Sequence, residues 1–284
     1  MLESRGVLEV AGEDRVAFLQ GLVSNDVTKA GAGRAVFAAL LTAQGKYLHD
    51  FFILALDEAL YLDCEASRLD DLKKRLTLYK LRSKVTLTDA SARYLVAAAW
   101  GDGVLPRLGL SAAGTAKAFI GGVVYADPRL NTLGARFLIP RGRETEIAAL
   151  GFSSAGAAGY DKHRLALGVP DGSRDLEVEK SILLENGFEE LNGIDFQKGC
   201  YMGQELTART KYRALIRKRL LPVKIEGPMP APGTPVSAGT EEVGEIRSSA
   251  EGVALAMLKL DALNAPLSAA GAKLIPLKPD WVKF

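Results

Sequence analysis

The stretch Lys198-Gly199-Cys200-Tyr201-Met202-Gly203-Gln204-Glu205 contains one of the two cysteines of this 284-residue chain. Cys200 follows a lysine, stands between two glycines and precedes a long basic segment. A thiolate attacks electrophiles and binds iron, and a nearby lysine together with a helix N-terminus lowers the free energy of forming it. The stretch therefore predicts an exposed, functional thiol. A small cysteine buried in a tight turn is the alternative, because free cysteines are among the most buried residues.

The same stretch, followed by Thr207-Ala208-Arg209, resembles the motif of the folate-binding YgfZ family, whose relatives include the glycine-cleavage T-protein. Other segments match the family in the same order along the chain. They are Phe18-Leu19-Gln20-Gly21, Ser24-Asn25-Asp26-Val27, Gln44-Gly45-Lys46 with Asp50, and Leu78-Tyr79-Lys80-Leu81-Arg82. The resemblance therefore covers most of the chain.

This resemblance implies an α+β fold with three T-protein-like domains in a ring: antiparallel sheet domains followed by a small C-terminal β-barrel. We expect the first α+β domain at residues 1–46 with 153–212, a second, ferredoxin-like domain at residues 47–152, and the barrel at residues 213–284. The barrel is also predicted by the chain itself, because short β-rich segments from Leu220 onward are separated by proline and glycine turns.

Apolar periodicity predicts the individual elements of the two α+β domains. Helices are expected at residues 14–23, 67–79, 144–150, 160–167 and 177–185. Strands are expected at residues 36–41, 47–56, 84–87, 94–99, 118–125 and 135–139. The small residues at 153–159 predict a linker.

The resemblance also implies tetrahydrofolate in the central channel, with Cys200 at its mouth. Asp50 begins an apolar strand and is expected to hydrogen-bond a pterin nitrogen, although an aspartate that caps a turn explains the same pattern. Turn formation likewise explains Asn25 and Asp26 equally well. The predicted catalytic residues are Cys200 and Asp50, and the predicted folate-binding residues are Asn25, Asp26, Asp50, Arg164, Lys198, Tyr201, Gln204, Glu205 and Arg217.

Two positions depart from the family pattern. Ala166 stands where the family has a glutamate that helps to grip the pterin ring, and the loss of such an anchor costs about 1.5 to 3 kcal/mol of binding free energy. Ala214 stands where relatives more often have glycine. The first departure weakens the expectation of folate binding, whereas neither affects Cys200.

The charge balance excludes a generally basic nucleic-acid-binding protein, because 36 Lys and Arg against 34 Asp and Glu leave a net charge of +2. Positive charge is nevertheless concentrated locally, since residues 206–225 contain no acidic residue. The cations of this segment are Arg209, Lys211, Arg213, Arg217, Lys218, Arg219 and Lys224. They predict contact with a folate polyglutamate tail or RNA phosphates, or else a solvated surface.

Metal-ligand spacing is absent, because the chain has only His49 and His163 and no Cys-x-x-Cys pair. Cys200 is therefore at most one ligand of a cluster, and the others come from a partner, a small thiol or a second copy of the chain.

No apolar run approaches the roughly 18 residues of a membrane span. No secretory segment is recognised. We expect a cytoplasmic monomer without membrane contact.

The leading functional hypothesis is a tetrahydrofolate-binding accessory factor for assembly or repair of iron-sulfur clusters, with Cys200 as its thiol. Its partners would be cluster assembly or client proteins, with indirect effects on tRNA-modifying enzymes. An aminomethyltransferase that moves a one-carbon unit to tetrahydrofolate is the alternative, and it needs Asp50 and strong pterin anchors but no cysteine. An RNA-binding or docking module that uses the basic segment is a third possibility.

Overall fold

The first sheet contains five antiparallel strands in the order β2-β3-β4-β1-β5 in this computed structural model, which describes residues 1–213 and 216–283. The strands are β1 (Arg5–Ala11), β2 (Val36–Leu41), β3 (Tyr47–Leu56), β4 (Ala59–Glu65) and β5 (Thr86–Asp89). Helices α1 (Arg15–Gln20) and α2 (Leu69–Lys80) cover one face of this sheet, where Phe18, Leu19, Leu72 and Leu76 are buried against it. The predicted position Ala214 lies outside the described residues.

The second sheet has four antiparallel strands in the order β6-β9-β8-β7. These are β6 (Tyr94–Ala99), β7 (Ala116–Phe119), β8 (Gly122–Ala126) and β9 (Ala135–Pro140), accompanied by the short helices α3 (Val104–Arg107) and α4 (Glu144–Ala148). Its inner face meets the open face of the first sheet, because Val96, Val123, Tyr125 and Leu138 belong to the same core as Phe37 and Phe52.

The chain then forms α5 (Gly156–Ala166) and α6 (Gln204–Tyr212), which are joined by turns and short 3₁₀ segments. A closed barrel follows, with the strand order β10-β13-β12-β11-β14-β15. Its strands are β10 (Lys218–Glu226), β11 (Pro235–Ala238), β12 (Glu241–Ala250), β13 (Val253–Lys259), β14 (Leu267–Ala269) and β15 (Ala272–Pro276). Closure leaves no unpaired sheet edge, and the small core contains Val223, Val236 and Ile246.

Several expectations are confirmed by these elements. The α+β class, the antiparallel sheets and the C-terminal barrel are present, and β2, β3 and β6 have the predicted bounds. The predicted domain boundary at residue 46 is wrong, because β2 and β3 are hydrogen-bonded neighbours in one sheet. Residues 47–65 therefore belong with the strands that precede them.

Several expected elements differ in detail from the structure. The single strand expected at 118–125 is a hairpin, since Ile120 and Gly121 both have positive φ and turn the chain between β7 and β8. The expected linker at 153–159 already contains the first turn of α5, and the strand expected at 84–87 begins at Thr86. The helix expected at 177–185 is mostly turn, with 3₁₀ structure only at Leu183–Asn186. Tyr79, the last residue of the helix expected at 67–79, is 43% exposed.

Candidate functional site

Cys200 is exposed on a loop that is anchored on both sides. On one side, the Lys198 ammonium donates to the carbonyl oxygens of Gln20 (2.7 Å) and Val23 (2.5 Å) at the end of α1. It also lies 5.0 Å from the ring centre of the buried Tyr201, and burial lowers the pKa of Lys198 to about 8. The predicted exposure of the thiol is confirmed, but the Lys198 ammonium binds backbone carbonyls, so its expected role beside the thiolate stays a prediction.

Two glycines of the loop serve different purposes. Gly199 has φ of 90° with open space around it, so it only allows the chain to turn before Cys200. Gly203 has φ of 79° and faces Gly45 in the β2–β3 turn, where a Cβ at Gly203 would overlap the carbonyl oxygen of Thr42. A Cβ at Gly45 would lie 2.6 Å from the carbonyl oxygen of Gly203. The two glycine-containing motifs of the sequence therefore meet through their backbones.

The far side of the loop is fixed by the start of α6. The Gln204 side chain accepts a hydrogen bond from the Tyr201 backbone N–H (3.2 Å), and the Met202 N–H donates to the Gly21 carbonyl (3.0 Å). Glu205 is exposed in the first turn of α6, where a carboxylate is favourable to the helix dipole. Tyr201 and Gln204 thus support the loop, and folate contact by them and by Glu205 stays a prediction.

The second cysteine is buried, whereas Cys200 is exposed. Cys64 lies in β4, is 1% exposed, and its thiol points to the Gly6 carbonyl oxygen at 3.6 Å. Burial raises the pKa of the Cys64 thiol to about 12. Cys64 is therefore an inert core residue, and it serves as a natural internal control for Cys200.

Asn25 and Asp26 form the polar loop after α1. The Asn25 amide donates to the carbonyl oxygens of Phe37 and Asn192, both at 2.7 Å. Asp26 caps a 3₁₀ turn by accepting from the Thr28 backbone and hydroxyl groups, and these bonds outweigh partial burial and hold the pKa of Asp26 below its usual value. Asp26 thus has a turn-forming role, whereas Asn25 ties the loop to β2 and to the backbone at Asn192. Ligand binding by the two residues remains a prediction.

Asp50 lies on the inner face of the first sheet, where it is 7% exposed. Its carboxylate accepts a 2.6 Å hydrogen bond from the Tyr47 hydroxyl. Burial raises the pKa of Asp50, and the positive charge of Arg5 opposes the increase. Asp50 lines a cavity of about 60 Å³ together with Arg5, Arg129, Arg136 and Arg164.

An ion-pair network fills the space around that cavity. Buried Asp63 accepts from Arg5 (2.6 Å) and from Arg136 (2.7 Å), and these two cations outweigh burial and lower the pKa of Asp63. Arg129 pairs with Asp127 at 2.8 Å and lies over the rings of Phe37 and Phe52. The network joins the two sheets, since Asp63 is in β4 and Arg136 is in β9.

These residues do not fit a pterin. Binding sites for small molecules usually have roughly 300 to 1,000 Å³, whereas the cavity beside Asp50 holds about 60 Å³, the space of about two waters. Its wall cations are already paired with carboxylates of the chain. A pterin therefore does not fit the cavity of about 60 Å³ beside Asp50, and the predicted hydrogen bond between Asp50 and a pterin stays a prediction.

Arg164 reaches the same cavity but is fully engaged elsewhere. Its guanidinium donates to Asp161 (2.6 Å), Asp175 (2.7 Å) and the Ser248 hydroxyl of β12 (2.9 Å). It therefore fastens α5 to the barrel. Ala166, two residues later, is exposed at the end of α5.

A larger cavity of about 380 Å³ lies beside the Asn25 loop. It is lined by Asn25, Lys29, Arg34, Phe37 and Lys211, among others, and it shares no lining residue with the Asp50 cavity. Lys211 is paired with Glu189 and lies 4.0 Å from the ring centre of Phe196. Cys200 lines neither of these two cavities. The structure thus does not gather Asp50, Asn25 and Cys200 into one site.

Some cations of the basic segment are already engaged in ion pairs. Arg219 is buried and pairs with Glu190, and Lys224 pairs with Glu226 at 3.0 Å. Arg209, Arg213 and Arg217 are exposed. Contact of this segment with RNA or a folate tail, including the predicted role of Arg217, remains a prediction.

Sequence reasoning missed the buried cations Arg5, Arg129 and Arg136, which come from distant parts of the chain. One signal existed: Asp63 interrupts the apolar run of β4, and a carboxylate at such a position needs a cationic partner.

Within residues 1–213 and 216–283, no group of three or more His, Cys, Asp or Glu side chains is arranged to hold a metal ion. None of the helices in the same ranges is long and apolar enough to span a bilayer.

Comparison with known proteins agrees with this architecture. The GCVT N-terminal domain family matches residues 2–103, and the CAF17 C-terminal β-barrel domain family matches residues 217–284. The iron-sulfur cluster assembly factor IBA57, mitochondrial, of Mus musculus is 32% identical over 99% of this chain and 84% of its own length. The human protein of the same name is 34% identical with the same coverage of both chains. The chain belongs to the IBA57 family.

A solved structure resembles this chain over almost its whole length. The glycine cleavage system aminomethyltransferase T from Bartonella henselae superposes with a TM-score of 0.78, covering 99% of this chain and 85% of that one, at 14% identity. At this identity the likeness shows the fold alone, and it confirms the predicted T-protein-like fold. The expected kinship with T-protein-like iron-sulfur assembly factors is confirmed at the level of the IBA57 family. The expected cytoplasmic location and monomeric state stay predictions.

Proposed function

We propose that this IBA57-family chain is an iron-sulfur cluster assembly factor that acts through Cys200. The exposed thiol on a doubly anchored loop is the observation that carries the proposal. A thiolate is a strong ligand for iron, and an anchored loop can present it to a cluster without the cost of ordering a flexible segment. The names of the IBA57 relatives support the same activity.

Cys200 would contribute one ligand to a cluster held jointly with a partner. The described residues supply no other group of metal-binding side chains, and Cys64 is buried in the core. The remaining ligands would therefore come from an assembly or client protein. In this proposal the cluster is cargo, and the chain positions one sulfur for its transfer or repair. Effects on tRNA-modifying enzymes would then follow indirectly, through their clusters.

Iron co-isolated with the chain tests this proposal. Tagged wild-type, Cys200→Ser and Cys64→Ser proteins would be purified anaerobically from cells, and the iron and acid-labile sulfide per chain would be measured. We expect both elements with wild type and Cys64→Ser, and their loss with Cys200→Ser. Equal iron and sulfide with Cys200→Ser would show that the thiol is not a cluster ligand.

Tetrahydrofolate does not enter the proposed chemistry, because the residues around Asp50 fill the space that a pterin would need. Anaerobic calorimetric titration of wild type and Asp50→Ala with tetrahydrofolate tests this point. We expect no saturable binding to either protein, which would mean that the fold and thiol motif are kept without the ligand. Saturable binding that the substitution abolishes would instead place folate at Asp50. The aminomethyltransferase alternative needs that outcome, and the filled cavity argues against it.

A further inference from the structure

Leu78, Tyr79 and Leu81 form an exposed apolar surface at the end of α2, which we call the α2 patch. Their exposed fractions are 68%, 43% and 89%. Leu81 also has a φ of 42°, a backbone region that residues other than glycine rarely adopt. The fold therefore keeps a large apolar side chain in water in a strained conformation. Neither packing nor the Cys200 loop explains this arrangement.

The α2 patch is surrounded by positive charge. Lys74, Lys80 and Arg82 lie beside it in sequence, and none of them forms an ion pair within the described ranges. The nearby Asp71 is already engaged by Arg75 at 2.9 Å and by Arg68, just before α2, at 3.3 Å. An occupant of this surface needs apolar groups at its centre and negative charge at its edge.

Helix α1 connects the α2 patch to Cys200. At its start, the Asp14 carboxylate accepts from the Lys84 backbone N–H at 2.7 Å, three residues beyond Leu81. At its end, Gly21 accepts from the Met202 N–H, two residues beyond Cys200. A helix of six residues is about 9 Å long, so the chain lengths place Leu81 and Cys200 within roughly 30 Å of each other.

The exposed face of α1 between its two ends carries small side chains. Ala17 and Gly21 are exposed there, and a Cβ at Gly21 would meet nothing within 4 Å. Small side chains let a partner's backbone approach closely. A helix of about 20 residues, roughly 30 Å long, would span the distance from the α2 patch to the thiol. This shape favours a protein element over a flat lipid surface.

We propose that the α2 patch, the exposed face of α1 and Cys200 form one docking surface for a protein helix with apolar residues on one side and carboxylates at its edges. This inference rests on the proposed function, because the docked protein would bring the remaining cluster ligands to Cys200. Leu78 and Leu81 anchor the partner, Lys80 and Arg82 orient it, and the thiol lies at the far end.

A reactive peptide tests the docking surface. The probe is a helical peptide of about 20 residues, with leucines on one face and glutamates on the other, whose terminal cysteine is a mixed disulfide with thionitrobenzoate. The Cys200 thiolate attacks the peptide sulfur, a new disulfide forms, and coloured thionitrobenzoate leaves, so the rate is read directly. Docking raises the effective concentration of the peptide sulfur at Cys200.

We expect wild type to react at least about tenfold faster with the acidic peptide than with the same peptide carrying lysines, and to lose this advantage at high salt. Leu78→Ser with Leu81→Ser, and Lys80→Glu with Arg82→Glu, should each abolish it. Met229→Ser is the matched control, because Met229 is 45% exposed on the barrel side of the chain and its loss should change nothing. Equal rates in wild type and both paired variants would overturn the proposal.

Two further readouts separate the possible failures. Reaction with free 5,5′-dithiobis(2-nitrobenzoate) reports whether Cys200 is accessible at all, so an unreactive thiol contradicts the proposed function as well as the docking surface. A reactive thiol without patch-dependent acceleration contradicts the docking surface alone. Flotation with phosphatidylglycerol vesicles that depends on Leu78 and Leu81 would assign the patch to a membrane and overturn the protein partner.

Discussion

At the scale of single residues, the presentation of Cys200 depends on backbone space that only glycine provides. Gly203 combines a φ of 79° with direct contact against the β2–β3 turn, whereas Gly199 has a φ of 90° and free space around it. The Lys198 side chain then fixes the near side of the loop on α1. The motif is therefore a structural device for holding one thiol outward.

Gly203→Ala should destabilise the protein more than Gly199→Ala. Both substitutions introduce a side chain at positive φ, which costs about 1 kcal/mol or more, but only Gly203→Ala adds a clash with Thr42. We expect a difference of at least about 1 kcal/mol between their free energies of unfolding in a urea titration. Equal losses would mean that the close approach to the turn is unimportant.

At the scale of elements, strand β3 and helix α2 are joined by a buried histidine. His49 is 3% exposed, and its Nε2 lies 2.9 Å from the Asp71 carboxylate. Burial lowers the pKa of His49 from 6.5 to about 4, and the positive charge of Arg68 acts in the same direction. The folded protein therefore keeps this histidine neutral at pH values at which the unfolded chain is protonated.

His49 should make the protein less stable in mild acid. Between pH 6.5 and about 4 the unfolded chain binds more protons than the folded protein, so the free energy of unfolding falls as the pH is lowered. The loss is on the order of 3 kcal/mol. Urea titrations across this range should show a shallower pH dependence for His49→Gln.

His163→Gln is the control for this pH dependence. His163 is only half-buried, and its Nε2 lies 2.9 Å from the Thr132 carbonyl oxygen. Burial lowers the pKa of His163 as well, but this histidine is more exposed than His49. The steep decline should persist in His163→Gln. If His49→Gln had the same pH profile as wild type, the acid sensitivity would have another origin.

Elements that are determined by their own local sequence could be predicted, whereas elements that are determined by contacts with distant residues could not. Strands β2 and β3 were predictable because their apolar runs are continuous and a glycine turn joins them. The turns at 177–185 were mistaken for a helix, because their spacing is helical while their backbone is fixed from outside, by bonds such as the Tyr47 N–H to the Ser181 carbonyl. Cys200 could be found from its local motif, whereas the arginines around Asp50 come from distant parts of the chain, including β1, β9 and α5.

At the scale of the whole molecule, buried arginines hold the parts together. Arg136 links the two sheets through Asp63, Arg164 links α5 to the barrel through Ser248, and Arg219 links the barrel to the Leu184 carbonyl. Each is almost fully buried, so removing one leaves a carboxylate or carbonyl without its partner. Arg136 and Arg164 also line the cavity of about 60 Å³ beside Asp50.

Arg164→Ala should therefore be strongly destabilising. The substitution leaves the buried Asp175 without its closest cation, and breaking such a pair costs about 3 to 5 kcal/mol. Arg93→Ala is the control, because Arg93 forms an exposed pair with Glu9 that is worth at most about 1 kcal/mol. Chemical denaturation of both variants measures the difference, and a small effect of Arg164→Ala would contradict a structural role for the network.

The central claim is that the chain supports iron-sulfur cluster assembly through the Cys200 thiol. The most direct measurement is the activity of a cluster-containing enzyme in cells that lack this protein and express wild type, Cys200→Ser or Cys64→Ser at equal levels. We predict full activity with wild type and Cys64→Ser, and loss of activity with Cys200→Ser although that variant folds normally. Full activity with Cys200→Ser would contradict the claim.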